Sequence, residues 1–253
     1  GTILQELEQH QKAKECYEQA IEIDPNYADA HYNIGIIFKE LGENEKAKEY
    51  YEQAIKINPN YADAHYNIGI IFQELGELEK AKNCYEKAIE INPDYQAAYN
   101  NLGVIFMESK EFQKAIDCYE KAIELNPNHV NAHNNLGNIF KELGDLQKAI
   151  GCYKKAIEID PNNINSINSL FDFLRLYKFH HKAEIDKDNF KELLLLLFRK
   201  DNVKHSYIGV NAKLLLLTDS EQNQLEEAIN SDSLLSNRIL QRLLGDELFH
   251  LLL

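Results

Sequence analysis

The sequence predicts an all-α solenoid of stacked helix hairpins. Three observations carry that prediction: an internal period of 34 residues, matched columns of small and aromatic residues within it, and a proline near the end of every unit. With the unit opened at Ala28, full copies run 28–61, 62–95, 96–129 and 130–163, preceded by a partial copy at 1–27. In the first helix of each unit the eighth place is Gly35, Gly69, Gly103 and Gly137, and the eleventh is Phe38, Phe72, Phe106 and Phe140. In the second helix the twentieth place is Ala47, Ala81, Ala115 and Ala149, and the twenty-seventh is Ala54, Ala88, Ala122 and Ala156. Between them Tyr51, Tyr85, Tyr119 and Tyr153 recur at the twenty-fourth. Small residues on facing helices allow axes to approach to about 8–10 Å, and the rings fill the space beside them.

The boundaries of each helix follow from its stop signals. Gly42, Gly76 and Gly144 stand after the first helix, where a left-handed residue ends it, while the third unit places Lys110 there. Pro59, Pro93, Pro127 and Pro161 interrupt the chain after the second helix. Ala13, Tyr17, Ala20 and Pro25 fit a truncated first unit, so the pattern is already running at Gly1. After 163, Leu170, Leu174 and Ala183 keep the register, but Phe171 replaces the glycine and Lys187 the tyrosine, as expected of a capping helix pair with one solvated face.

Residues 164–253 form the second predicted region, a degenerate repeat followed by leucine-rich helices. Proline is absent there, and short helices are expected at 190–199, 211–217, 220–229 and 231–244, several opened by Ser or Asp. Five consecutive leucines from Leu193 to Leu197 cover every side of a helix, so this region should cap the solenoid or join two copies as a homodimer. The chain stops within an apolar run, which suggests a continuation beyond Leu253.

Charge narrows the partners. The net charge is −14, with 41 acidic against 27 basic side chains, and 28 of the acids fall within 1–163. Phosphate binding needs concentrated Lys and Arg, so nucleic acid is not an expected partner. No apolar run approaches the roughly 20 residues of a membrane span and no signal peptide opens the chain, so a cytoplasmic protein without a membrane partner is expected.

These columns resemble the tetratricopeptide repeat family. The wording His31-Tyr-Asn-Ile-Gly35 and His133-Asn-Asn-Leu-Gly137 is most similar to repeats of O-linked N-acetylglucosamine transferases and bacterial tetratricopeptide proteins. The resemblance covers about residues 1–163 and implies a right-handed superhelix with a carboxyl-terminal helical cap, the first helix of each pair lining a concave groove. The carboxyl-terminal part is similar to the helical connector that precedes a methyltransferase domain in some bacterial proteins.

On the implied groove face the sixth place is Asn33, Asn67, Asn101 and Asn135, one carboxamide per repeat, followed by Ser169. A carboxamide offers donors and an acceptor to an extended peptide backbone, and the transferase resemblance implies that role. The alternative is that these amides bridge adjacent repeats. The fifth place adds Tyr32, Tyr66, Asn100 and Asn134. The ninth is Ile36, Ile70, Val104 and Asn138, so the lining is aromatic and apolar first and amide-rich later, as an amphipathic ligand would need. Asp29 and Asp63 at the second place, with Glu40, Glu74, Glu108 and Glu142 at the thirteenth, would favour a basic one. A clamp for a terminal carboxylate would need Lys or Arg in these columns, and they carry none.

Other signals are structural on this reading. Cys16, Cys84, Cys118 and Cys152 share the twenty-third place and so lie one repeat apart, too far for disulfides and without the C-x-x-C spacing of a zinc site. His31, His65 and His133 share the fourth place with Tyr99 and read as packing rings. His180 and His181 define no site. No catalytic or cofactor motif is present, and no cofactor, metal or catalytic residue is expected. The predicted function is a scaffold that binds an extended peptide or protein segment in the groove. Two alternatives stay open: the substrate-recognition arm of a larger glycosyltransferase or methyltransferase whose catalytic domain lies outside this chain, and an oligomerisation module.

Overall fold

A computed structural model describes residues 2–170. The expected capping pair beyond Leu170, the leucine-rich cap or dimer contact and the His180–His181 pair lie outside the described residues. Among the described residues there are nine complete helices and no strand. They are α1 (Thr2–Ile23), α2 (Ala28–Glu40), α3 (Asn44–Ile57), α4 (Ala62–Glu74), α5 (Leu78–Ile91), α6 (Gln96–Glu108), α7 (Phe112–Leu125), α8 (Val130–Glu142) and α9 (Leu146–Ile159). The chain divides into two compact units, 1–127 and 128–253, each taken by itself here. In the first, α2 pairs with α3, α4 with α5 and α6 with α7, while α1, α3 and α5 each pack on the helix that follows. In the second, α8 pairs with α9, and residues 164–170 are again helical.

Each pair closes on one glycine. A Cβ placed on Gly35 would lie 2.6 Å from the Tyr51 ring, and the equivalent approaches are 2.6 Å at Gly69 to Tyr85, 2.7 Å at Gly103 to Tyr119 and 2.7 Å at Gly137 to Tyr153. All four rings are buried, as are the alanines flanking them, Ala47 and Ala54 in α3 and their counterparts in α5, α7 and α9. Such a ring lying flat on bare backbone is how a hairpin of two short helices hides a large side chain without pushing its axes apart. The phenylalanine column closes one edge of the stack, where lysines cover its rings: Lys14 and Lys46 over Phe38, Lys48 and Lys80 over Phe72, Lys82 and Lys114 over Phe106.

The turns obey the same rules four times. Gly42 has φ 76°, its N–H reaches Lys39 O and the Glu43 N–H reaches Phe38 O, the paired 5→2 and 6→1 bonds that end a helix through a left-handed residue. Lys110 takes this same conformation, φ 59°, although it carries a Cβ. That geometry costs a side-chain-bearing residue about 1–2 kcal/mol, part of which glycine returns through its freer unfolded chain, so Lys110→Gly should stabilise the fold by about 0.5–1 kcal/mol. Urea denaturation of the two proteins checks it; an unchanged or lower midpoint would contradict the strain argument. At the other turn Asn58, held extended before Pro59, accepts the Asn60 N–H, and Asp24, Asn92 and Asp160 do likewise. His31 and His65 bond the Pro25 and Pro59 carbonyls at 3.2 Å, so the fourth-place imidazoles tie each turn to its following helix.

The cysteines occupy the packed layer unevenly. Cys118 is buried and Cys84 half-buried; burial first, then neighbouring carboxylates, pushes their thiols up to about 12 and about 11. Cys16 alone among the four is exposed.

Candidate functional site

In α2 the buried positions are Ala30, Ile34, Gly35, Ile37 and Phe38, which leaves Asp29, Tyr32, Asn33 and Ile36 on the opposite stripe at helical spacing. The same division recurs in α4, and α6 follows it except that its fifth-place Asn100 is buried, so three parallel stripes come to one face of the first unit. These first helices meet one another chiefly through side chains. Asn67 Nδ2 donates to Tyr32 Oη at 3.0 Å and Asn101 Nδ2 donates to Tyr66 Oη at 3.2 Å, each bond crossing from one repeat to the one before. Asn101 Nδ2 also lies 3.4 Å from Tyr85 Oη, whose own proton goes to Gln73 Oε1 at 2.7 Å.

The carboxamide nitrogens of Asn67 and Asn101 thus bridge adjacent repeats. Asn33 Nδ2 donates to the Asp29 carbonyl at 2.7 Å. Asn100 and Asn134, expected at the contact face, are only 8% exposed. Their side chains are shorter than the tyrosines of the first two repeats and leave their amides at the level of the packed layer, Asn100 Nδ2 bonding Asn101 Oδ1 at 3.2 Å. In the second unit Asn138 Oδ1 accepts from Tyr153 Oη at 2.8 Å, which ties it to its own hairpin, and Asn135 is half-buried on α8.

The aspartates are better placed. Asp29 and Asp63 are exposed, and each receives a tyrosine hydroxyl from the turn that starts the next repeat: Tyr61 Oη to Asp29 Oδ1 at 2.8 Å, Tyr95 Oη to Asp63 Oδ1 at 2.6 Å. Those tyrosines pack against the fifth-place rings, with centroids 4.8 Å apart for Tyr32–Tyr61 and 4.9 Å for Tyr66–Tyr95. Burial, then the bond to aspartate, raises the Tyr61 and Tyr95 hydroxyls well above the ordinary tyrosine range, so they remain donors at neutral pH. Burial likewise raises Tyr32 and Tyr66, against the lowering effect of the asparagine bonds. Because each of these two hydroxyls accepts from an asparagine, its own proton points elsewhere.

The thirteenth-place acids are partly spent within the protein. Glu74 pairs with Lys39 and takes a bond from Asn44 Nδ2 at 3.2 Å, and Glu40 lies 2.9 Å from His10 Nε2. Glu108 meets no cation among the described residues.

Sequence reasoning passed over Tyr61 and Tyr95. The signal was present: the thirty-fourth place reads Tyr61, Tyr95, His129 and Asn163 and changes in step with the second (Asp29, Asp63, Ala97, Asn131) and the fifth (Tyr32, Tyr66, Asn100, Asn134). Three columns that switch together within one chain report a contact. Where the tyrosine is lost, His129 Nδ1 instead accepts the Ala132 N–H at 3.2 Å and caps α8, with burial holding its pKa below the usual imidazole value.

Paired short helices stacked so that α2, α4 and α6 contribute to one face of the first unit define a helical-repeat protein-interaction scaffold. The chain belongs to the tetratricopeptide repeat family: models described as Tetratricopeptide repeat match residues 62–95, 97–129 and 130–163, and a model described as TPR repeat matches 1–42 and 35–76. Among solved structures it is similar to MamA, at 26% identity over 60% of this chain and 89% of that one, TM-score 0.55. It is also similar in fold to YrrB, described as a TPR protein with an unusual peptide-binding site (22% identity, 67% of this chain and 87% of that one, TM-score 0.55). The pilF protein of Pseudomonas aeruginosa shares 22% identity over 82% of this chain and 91% of that one, with a TM-score of 0.64. A search of curated protein sequences finds no significant match. Among the described residues no helix is long and apolar enough to cross a membrane, and no three His, Cys, Asp or Glu side chains group as a metal site.

Proposed function

We propose that the face formed by α2, α4 and α6 binds an extended, basic polypeptide segment, with Asp29 and Asp63 as the charged anchors and Tyr32 and Tyr66 as hydroxyl donors to its main chain. The observation that carries this reading is the tyrosine bond to each aspartate. It fixes one carboxylate oxygen, while among the described residues the second meets no donor and the side chain belongs to an exposed residue. A carboxylate held in place loses less side-chain entropy on pairing than a free one. Successive repeats lie on the order of 10 Å apart and an extended chain advances about 3.3 Å per residue, so the two anchors suit cations three residues apart. The excess of acids over bases in residues 1–163 supports the same sign of ligand.

The test uses a fluorescent peptide of repeated Pro-Ser-Lys, which favours an extended conformation, and its Pro-Ser-Glu counterpart. Replacing Asp29→Asn and Asp63→Asn together keeps an acceptor for Tyr61 and Tyr95 but removes the charge. The lysine peptide should bind the parent chain in preference to the glutamate peptide, and the double variant should weaken it by about tenfold, equivalent to about 1.4 kcal/mol, with an unchanged melting curve. Equal binding by parent and variant would overturn the anchoring role.

A further inference from the structure

On the face formed by α2, α4 and α6 the available side chains follow one order along each helix. The second, fifth and ninth places are Asp29, Tyr32 and Ile36 in α2 and Asp63, Tyr66 and Ile70 in α4, all of them exposed or half-buried. At 1.5 Å per residue they stand about 4.5 and then about 6 Å apart along the helix. Side by side, the helices turn this order into three rows that cross the repeats: acidic, then aromatic with hydroxyls, then aliphatic. In α6 the aliphatic row continues with the half-buried Val104, and Ala97 stands where the acid would be.

A ligand lying along these rows meets the same three groups at each repeat, on the order of 10 Å further on. A β-strand covers that distance in three residues but turns successive side chains to opposite sides. A cation set on Asp29 would then be followed, three residues on, by one facing away from Asp63. A polyproline II helix has three residues per turn and a rise of about 3.1 Å, so the same side returns after about 9.3 Å.

Two further features match that helix. Its backbone makes no internal hydrogen bonds and leaves its carbonyls to outside donors. Tyr32 and Tyr66 supply one hydroxyl per repeat: each accepts from an asparagine, and its own proton meets no acceptor among the described residues. Each of these rings also packs on a second tyrosine, with centroids 4.8 Å apart for Tyr32–Tyr61 and 4.9 Å for Tyr66–Tyr95. Aromatic-lined surfaces are the usual receptors for this preformed helix.

We infer that the ligand of this face is a polyproline II segment built of triplets, each with one cation, one proline or aliphatic residue and one residue turned to solvent. The cations of two successive triplets pair with Asp29 and Asp63, the apolar residues pack on Ile36 and Ile70, and backbone carbonyls accept from Tyr32 and Tyr66. Over α6 the triplet needs its apolar residue, against Val104, and no cation. This inference rests on the basic-ligand reading above and adds to it a conformation and a sequence period.

Fluorescent peptides of equal length and charge test it: repeated Pro-Ser-Lys, repeated Gly-Ser-Lys, and a peptide of the first composition whose lysines are moved out of triplet spacing. The first should bind tightest, the glycine peptide about fivefold more weakly for want of a preformed helix, and the re-spaced peptide about tenfold more weakly for want of its second anchor. Ile36→Thr with Ile70→Thr should weaken the Pro-Ser-Lys peptide by about fivefold and leave the glycine peptide unchanged, since glycine has no side chain to pack there. In the bound Pro-Ser-Lys peptide, three-bond couplings of isotope-labelled Ser and Lys should give φ of about −75°. Bound φ values of about −120 to −140°, equal binding of the three peptides, or no effect of the isoleucine substitutions would each overturn the polyproline II inference while sparing the basic-ligand reading. Failure of every lysine peptide to bind the parent chain would overturn both.

Discussion

Tyr85→Ala is expected to lower stability by about 3–5 kcal/mol, the usual cost of emptying a fully enclosed aromatic site. The ring has no exposed area and lies directly on Gly69, so its removal leaves a cavity bounded by the Gly69 backbone on one side and the Tyr66 ring, 5.6 Å away between centroids, on another. Backbone of two packed helices cannot collapse into such a gap as a flexible side chain would. The hydroxyl adds a smaller share: it donates to Gln73 at 2.7 Å and lies 3.4 Å from Asn101 Nδ2, linking the hairpin to α6. Tyr85→Phe should therefore cost only about 1 kcal/mol, the net value of a typical hydrogen bond. Urea denaturation of the parent and both variants separates the two contributions, and a loss under about 1 kcal/mol for the alanine variant would refute the packing account.

Gly103→Leu should cost about 3 kcal/mol by the opposite route, overpacking. A Cβ there would stand 2.7, 2.9 and 3.0 Å from three atoms of the Tyr119 ring, distances that force the ring or the helix to move. Tyr119 is itself enclosed by the packed layer and has nowhere to swing. For a domain of about 150–250 residues this corresponds to a fall in melting temperature of about 6–12 °C, readable by circular dichroism. Gly151 gives the contrast. It sits within α9 with nothing near its Cβ direction, so Gly151→Ala should stabilise by about 0.5–1 kcal/mol through helix propensity alone. If both glycine substitutions had the same sign, the eighth-place column would have to be explained by backbone flexibility and not by contact.

The fold was legible because each repeat prints the same packing solution again. Glycine at the eighth place and tyrosine at the twenty-fourth are informative together, since bare backbone is needed only where a ring lies on it. The left-handed turns were equally legible at Gly42, Gly76 and Gly144, and the exception at Lys110 was visible as an exception. The conformation it adopts follows from its neighbours, whose paired turn bonds leave that residue no other backbone geometry.

The face formed by α2, α4 and α6 was legible by column but not by contact. Asn67 and Asn101 were expected to reach outward, and they reach along the stack to Tyr32 and Tyr66, because a carboxamide half-buried between helices finds a partner before it finds solvent. Asn100 and Asn134 share a column with those tyrosines, yet side-chain length puts the rings at the surface and the amides beneath it.

What the sequence determined by itself is the repeat, the helix boundaries, the small-residue seams and the acidic character of the segment. All of these rest on residue type and local spacing, which a linear reading contains. Only the tertiary structure decided which polar groups remain available, because hydrogen bonds between repeats join residues 32 and 35 positions apart and consume donors that look free along the chain. Exposure belongs to the arrangement of neighbouring helices and not to the residues that experience it.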